Sequence, residues 1–242
     1  MSLKNGKKYK IAAIVPVYNE EKNVYGVLNA LTRCKQLNEI ICIDDGSKDN
    51  TVVLTKKFKS VKLIIHPKNS GKSNAIITGI KSTNADIVVF IDGDLKGINN
   101  QTIYDLTEPL VDGSYDSVVG YYRNYTFDEF FRPVSGERAY FRKDLLPYLN
   151  QFKNIGYGLE LKLNYLFKNK RVKVFKFNGI KHDLKYEKQP FRLVVKLILR
   201  ETRDFLNQVI TAEKPVDFVK NAYFARFYFT QHQDGAGFTK NK

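Results

Sequence analysis

The chain has no tryptophan, a single methionine and only two cysteines among its 242 residues. Cys34 and Cys42 cannot form a disulfide framework and have no metal-ligand spacing, which excludes a stapled secreted scaffold and a structural zinc domain. Cys42 lies in the apolar run IICI and is expected to be a buried thiol in a reducing compartment. No apolar run approaches the ~18 residues of a membrane span. The basic start MSLKNGKKYK is followed only by IAAIVPV, which Pro16 interrupts, so no secretory leader is read and a cytoplasmic location is expected. Acidic residues are scarce, 25 against 40 Lys and Arg, for a formal net charge of +15. Such an excess fits nucleic acid, an anionic membrane surface or a phosphorylated small molecule. The basic residues are scattered from Lys4 to Lys242, with no zinc-finger spacing and no aromatic RNA-binding motif, and a lysine-rich genome explains part of the excess. Nucleic acid is therefore not an expected partner.

What is present reads as globular. With 43% hydrophobic residues the chain can bury a full core as one large domain, or one domain with an appendage. Strand-like runs occur at 10–18, 39–45, 61–67 and 85–94, separated by helical patterns near 21–33, 49–59 and 70–82. Strands alternating with helices imply βαβ units and a mostly parallel sheet flanked by helices. The first two strands are nearly all apolar, as strands buried on both faces should be. Ligands bind such sheets at the carboxyl ends of the strands, where Tyr18-Asn19-Glu20, Asp44-Asp45-Gly46-Ser47 and Asp92-Gly93-Asp94 fall. The last group ends the run FIDGDL with two carboxylates on one side of an extended chain, an arrangement that suits Mg²⁺ or Mn²⁺. There is no G-x-G-x-x-G after the first strand and no Walker sequence. Instead Asn69-Ser70-Gly71-Lys72-Ser73 opens the third helix. Gly71 allows close backbone approach, Lys72 adds charge suited to a diphosphate, and Ser70 is the expected N-cap.

The set IVPVYNEEKNV, IDDGSKDNT, SGKSNAIITGI and ADIVVFIDGDL, in this order and spacing, resembles the nucleotide-sugar domain of family 2 glycosyltransferases, with its GT-A fold. A second block, Ser135-Gly136-Glu137-Arg138-Ala139-Tyr140 followed by Gly156-Tyr157-Gly158-Leu159-Glu160-Leu161, resembles the acceptor half of polyprenyl-phosphate sugar synthases and of glucosyl-3-phosphoglycerate synthase. The resemblance implies an α/β, Rossmann-like GT-A domain over 10–185, with a nucleotide-sugar half at 10–97 and an acceptor half at 98–185. It implies transfer of a sugar from a UDP- or GDP-linked donor to a polyprenyl phosphate or a small phosphorylated metabolite. On it, Pro16, Tyr18, Asn19 and Glu20 line the nucleoside pocket and Asp44 bonds the base or ribose. Gly71 and Lys72 approach the diphosphate, Asp92 and Gly93 face the donor, and Asp94, with Asp92, binds Mn²⁺ or Mg²⁺. Ser135, Gly136 and Arg138 are expected at the acceptor, although Arg138 could equally pair with a core acid. Glu160 and Glu137 compete as the group that orients or deprotonates the acceptor hydroxyl.

One departure is informative. Many lipid-phosphate mannose synthases continue D-x-D-x-Q, and the glutamine helps bind the cation; here that position is Lys96. The resemblance to phosphoglycerate-type synthases, which place a histidine ligand late in the domain, makes His182, after the predicted strand 171–177, the expected replacement. His66 and His232 are read as ordinary histidines. After Pro190 the pattern changes to a C-terminal helical appendage. FRLVVKLILRETRDFLNQVI aligns Phe191, Val194, Val195, Ile198, Phe205 and Val209 on one helical face, and an aromatic segment follows at 216–229. Segment 190–229 either packs on the catalytic domain or a second subunit, or attaches to the inner membrane surface. A basic tail at 1–9 and a disordered tail at 230–242 complete the organisation. The competing functions are a sugar nucleotidyltransferase, disfavoured because VYNEEKNV replaces the glycine- and arginine-rich loop of that class, and a basic nucleic-acid binder.

Overall fold

The computed structural model describes residues 8–121, 135–177 and 179–182, together with the single residues 203 and 210. Segment 190–229, the tail 230–242 and residues 1–7 of the basic tail otherwise lie outside the described residues. The expected βαβ alternation is present. β1 (Ile11–Val17), β2 (Glu39–Asp44), β3 (Val61–Ile65) and β4 (Ile87–Phe90) alternate with α1 (Val24–Leu31), α2 (Thr51–Thr55) and α3 (Lys72–Lys81). Then follow β5 (Leu95–Lys96), α4 (Asn100–Val111), β6 (Ser117–Tyr121) and β7 (Arg138–Phe141). A short α5 (Arg142–Leu145) runs into a 3₁₀ segment, Leu146–Phe152, and a second 3₁₀ turn, Gly156–Gly158, leads into α6 (Leu159–Leu166). β8 (Val172–Lys176) and β9 (Lys181–His182) come last.

The main sheet has seven strands in the order β3-β2-β1-β4-β7-β6-β8. β1 pairs in parallel with both β2 and β4, and β2 with β3. β7 is antiparallel to β4 and to β6, and β8 returns parallel to β6. The sheet is therefore mixed, with its parallel half formed by β1 to β4. Alternation along β1 explains its central place. Ile11, Ala13, Val15 and Val17 join the core under α1 and α4, while Ala12 and Ile14 join the core under α3 and α6. A strand buried on both faces needs an apolar residue at every position, which is why this segment reads as one unbroken hydrophobic run. Cys42 on β2 is fully buried; burial, opposed by a contact with Thr55 and reinforced by the charge of Asp44, pushes its thiol up to about 12.

The order 3-2-1-4 reverses direction between β1 and β4. Crevices at such reversals, at the carboxyl ends of the strands, are where open α/β sheets bind ligands. Here the chain leaves β1 at Tyr18, β2 at Asp45 and β4 at Ile91.

Candidate active site

The loops after β1 and β2 are tied to each other. Asn19 sits in the left-handed region at φ 54; its N–H donates to Ser47 Oγ at 2.9 Å and its Oδ1 accepts from the Lys48 N–H at 2.9 Å. The Glu20 N–H donates to Thr51 Oγ1 at 2.8 Å, and the Glu20 carboxylate accepts from Asn23 Nδ2 at 3.0 Å. Tyr18 is exposed and Pro16 half-buried. Asn19 and Glu20 thus tie the loop after β1 to the loop after β2, and the Tyr18 ring stands exposed beside them. Asp44, 1% exposed, accepts from the N–H groups of Gly46 and Ser47 with Oδ2, at 3.2 and 3.0 Å. Among the described residues its Oδ1 is buried with no hydrogen-bond partner, an arrangement that costs about 1–3 kcal/mol.

Asp45, to which the sequence assigned no role, organises the start of α3. Its Oδ1 lies 2.7 Å from both Ser70 Oγ and His66 Nδ1. Both carboxylate oxygens accept from the Ser70 N–H at 3.0 Å, and Oδ2 from the Gly71 N–H at 2.7 Å. Ser70 is therefore not the N-cap. Gly71 holds that position at φ 93 without a side-chain bond, because a carboxylate from β2 satisfies the neighbouring amides. His66, with Nε2 2.9 Å from Thr78 Oγ1, is a structural member of this clamp, in line with its ordinary reading. Gly46 completes it. It has φ +78, and a Cβ there would stand 2.7 Å from the Lys68 carbonyl carbon, so only glycine allows this approach.

Lys72, the first residue of α3, gathers four separate parts of the chain. Its Nζ lies 2.7 Å from Asp92 Oδ1, in the turn after β4, and 3.0 Å from Glu160 Oε1, in the first turn of α6. Gly136 is closely apposed, since a Cβ there would fall 2.6 Å from both Lys72 Nζ and Asp92 Oδ2. Burial disfavours the ammonium, yet Asp92, Glu160 and, behind them, Glu137 raise its pKa well above the ordinary lysine value. Two carboxylates, Asp92 and Glu160, thus contact one ammonium. Asp92 and Asp94 do not sit on a strand as expected. β4 ends at Phe90, and a turn closed by Leu95 N–H to the Asp92 carbonyl presents the two acids. Asp92 keeps 23% of its side chain exposed, Asp94 is 3% exposed, and Gly93 is buried against Val17.

In the turn before β7, Ser135 Oγ donates to Glu137 Oε2 at 2.8 Å. Glu137 is fully buried, whereas Glu160 retains 6% side-chain exposure against Lys72. Arg138 is 1% exposed; its Nε donates to the Ser135 carbonyl at 2.6 Å and its Nη1 to Asn164 Oδ1 at 2.7 Å and Tyr140 Oη at 3.2 Å. These are interior partners. Arg138 thus shapes the Ser135–Gly136 turn from below, whereas an acceptor phosphate was the expectation for it. His182 lies on β9, whose register sets it opposite Leu95, next in sequence to Asp94, while Lys96 pairs with Lys181.

Among the described residues no three of His, Cys, Asp and Glu form a closed cation cage. Mg²⁺ in phosphoryl chemistry is held by one or two carboxylates and completed by water and substrate phosphates. The carboxylate of Asp92, 23% exposed, with the buried Asp94 two residues on in the same turn, fits a cation of that kind.

The strand order, the reversal between β1 and β4 and the acidic turn beside it define a fold of the GT-A type. A family model described as glycosyl transferase family 2 matches residues 12–184, and the chain belongs to that family. It is 32% identical over 137 residues to an undecaprenyl-phosphate 4-deoxy-4-formamido-L-arabinose transferase of Proteus mirabilis, covering 53% of this chain and 41% of that protein. It is 34% identical over 116 residues to a dolichol-phosphate mannosyltransferase of Pyrococcus furiosus, covering 46% of this chain and 32% of that one. The chain thus spans less than half the length of either relative. Its fold is like that of glucosyl-3-phosphoglycerate synthase from Mycobacterium tuberculosis, solved with Mn²⁺, UDP-glucose and phosphoglyceric acid. There the TM-score is 0.66 at 21% identity, over 83% of this chain and 79% of that one.

Proposed function

We propose that this protein transfers a sugar from a nucleoside-diphosphate sugar to a phosphorylated acceptor, with a divalent cation at the Asp92–Asp94 turn. The observation that carries the reading is the meeting at Lys72 of Asp92, from the donor-side turn, with Glu160, from the acceptor-side helix. A reaction between two bound molecules needs its positioning groups within one pocket. The relatives are named for lipid-phosphate acceptors and the structural neighbour was solved with a phosphorylated small molecule, which supports a phosphorylated acceptor of either kind.

In this reading the nucleoside lies over the β1 and β2 loops, between Pro16, Tyr18, Asn19 and Glu20. Asp44 Oδ1 accepts from its base or ribose. Gly71 and Lys72 face the diphosphate, and Gly93 keeps the acidic turn close to β1. Asp92 and Asp94 hold the cation, with His182 completing its shell in place of the glutamine that Lys96 replaces. When bound, the cation neutralises charge that develops on the leaving diphosphate. Glu160 orients the acceptor oxygen, and accepts its proton where that oxygen is a hydroxyl; an acceptor phosphate oxygen is already anionic and needs orientation alone. Ser135 and Gly136 border the acceptor, while Glu137 and Arg138 hold that border in place. Reaction at the inner face of the membrane, in the cytoplasm, belongs to the same proposal.

Thermal-shift screening of UDP- and GDP-sugars with and without Mn²⁺ tests it. A ligand at about a hundred times its Kd adds about 2.7 kcal/mol by linkage. For a chain of this size that raises Tm by roughly 5–10 °C. The expected result is such a rise for one nucleotide class, larger with Mn²⁺. No shift with any nucleotide in the presence of Mn²⁺ would overturn the reading.

A further inference from the structure

We propose that Lys72 occupies the cation's place at Asp92 in the ligand-free protein, and so makes cation binding conditional on the nucleoside diphosphate. The inference rests on the reading above that a cation binds at the Asp92–Asp94 turn, and it concerns the order and coupling of binding.

The geometry is specific. Lys72 Nζ is 2.7 Å from Asp92 Oδ1 and 3.0 Å from Glu160 Oε1, so the ammonium already fills one side of the carboxylate that a cation would use. A divalent ion on the same carboxylate would stand within a few ångström of that ammonium, and like charges at this range in a partly enclosed site repel strongly. The backbone of Lys72 stands next to Gly71, whose N–H is held by Asp45, and its ammonium borders the space that Gly136 leaves open. Its side chain keeps 27% exposure, so the flexible stem can move while the backbone stays in place. A diphosphate arriving there reverses the balance. It offers the ammonium new anionic oxygens, frees Asp92 for the cation and supplies the cation with further oxygen ligands. Cation and nucleotide then strengthen each other's binding, and by linkage the effect is reciprocal. A lysine that served only as a diphosphate contact would alter nucleotide affinity and leave affinity for the bare cation unchanged.

Calorimetric titration of Mn²⁺ into the full chain, with and without saturating UDP, separates these cases. Wild type, Lys72→Arg and Lys72→Met are compared, with folding checked by circular dichroism. Lys72→Met should bind Mn²⁺ alone at least about tenfold more tightly than wild type, because the competing charge is gone. Its gain in Mn²⁺ affinity on adding UDP should shrink by a similar factor. Lys72→Arg keeps the charge and should behave as wild type in Mn²⁺ alone. If Lys72→Met does not fold, Lys72→Gln, whose amide can still bond both carboxylates, is held to the same criterion. Unchanged or weaker affinity of the neutral variant for Mn²⁺ alone, while wild type binds Mn²⁺ with UDP, overturns this inference and leaves the function standing. Failure of wild type to bind Mn²⁺ with saturating UDP and, in a parallel titration, with saturating GDP overturns the function itself, and the inference falls with it.

Discussion

Gly136 lies where a methyl group would meet both members of an ion pair, 2.6 Å from Lys72 Nζ and 2.6 Å from Asp92 Oδ2. The obstructing atoms are ends of side chains, one of them on a flexible stem, so the overlap can be relieved by moving them without moving backbone. Gly136→Ala should therefore cost little stability, within about 1 kcal/mol. It should nevertheless lower turnover by tenfold or more, since a misplacement of about 1 Å in a positioning group can cost that much or more. Urea denaturation and initial rates on the same preparation test both halves. A fully active Gly136→Ala protein would show that the Lys72–Asp92 contact does not matter to the reaction. Asp44 makes the complementary point. Its Oδ2 is used by the Gly46 and Ser47 amides while Oδ1 has no partner among the described residues, so one carboxylate builds its loop and keeps a second, buried acceptor.

Between β2 and α3, stability and site geometry depend on one side chain. Asp45 accepts from the Ser70 and Gly71 amides, the Ser70 hydroxyl and His66, and so fixes the helix that begins with Lys72. Asp45→Ala leaves these groups unsatisfied in an interior position and should lower the unfolding free energy by roughly 2–4 kcal/mol. Nucleotide affinity should fall as well, although Asp45 is turned away from the pocket toward α3. A loss below about 0.5 kcal/mol, the range of ordinary surface changes, would show that α3 is positioned by its apolar face alone. This clamp was not legible in the sequence, because Asp44-Asp45 reads as one acidic pair and only the folded chain sends one acid to the pocket and the other to the helix. β1 to β4 were legible because strands buried on both faces leave continuous apolar runs. β7 was not, since Arg138 sits within the sheet and its partner Asn164 is supplied by tertiary structure. α4 carries Pro109 near its end, and β5 and β9 have two residues each, too few for any periodicity. The acidic turn, Lys72 and Glu160 could be picked out by residue type and resemblance, but their junction at Lys72 is a product of the fold.

The net charge of +15 is a property of the whole molecule, and the acidic pocket accounts for none of it. The surplus must act elsewhere, and segment 190–229 combines Arg192, Lys196, Arg200 and Arg203 with the apolar row from Phe191 to Val209. Among the described residues no helix is long and apolar enough to cross a membrane, and surface attachment is one route to a lipid phosphate. A basic amphipathic helix attaches by burying its apolar face at the interface while its charges meet anionic headgroups, each worth about 1 kcal/mol near the surface. The full chain should therefore float with vesicles containing anionic lipid at low salt. Much of it should be released as ionic strength rises, since the Debye length falls from about 10 Å at 0.1 M to about 3 Å at 1 M. Neutral vesicles should retain far less. Replacing Arg192, Lys196 and Arg200 together by Gln should weaken flotation, read against nucleotide affinity on the same preparation. A chain that ignores anionic vesicles and is dimeric by light scattering would assign the segment to a subunit interface. A monomer that ignores them would leave the segment packed on its own domain, and would turn the choice of acceptor toward a small phosphorylated metabolite that needs no membrane.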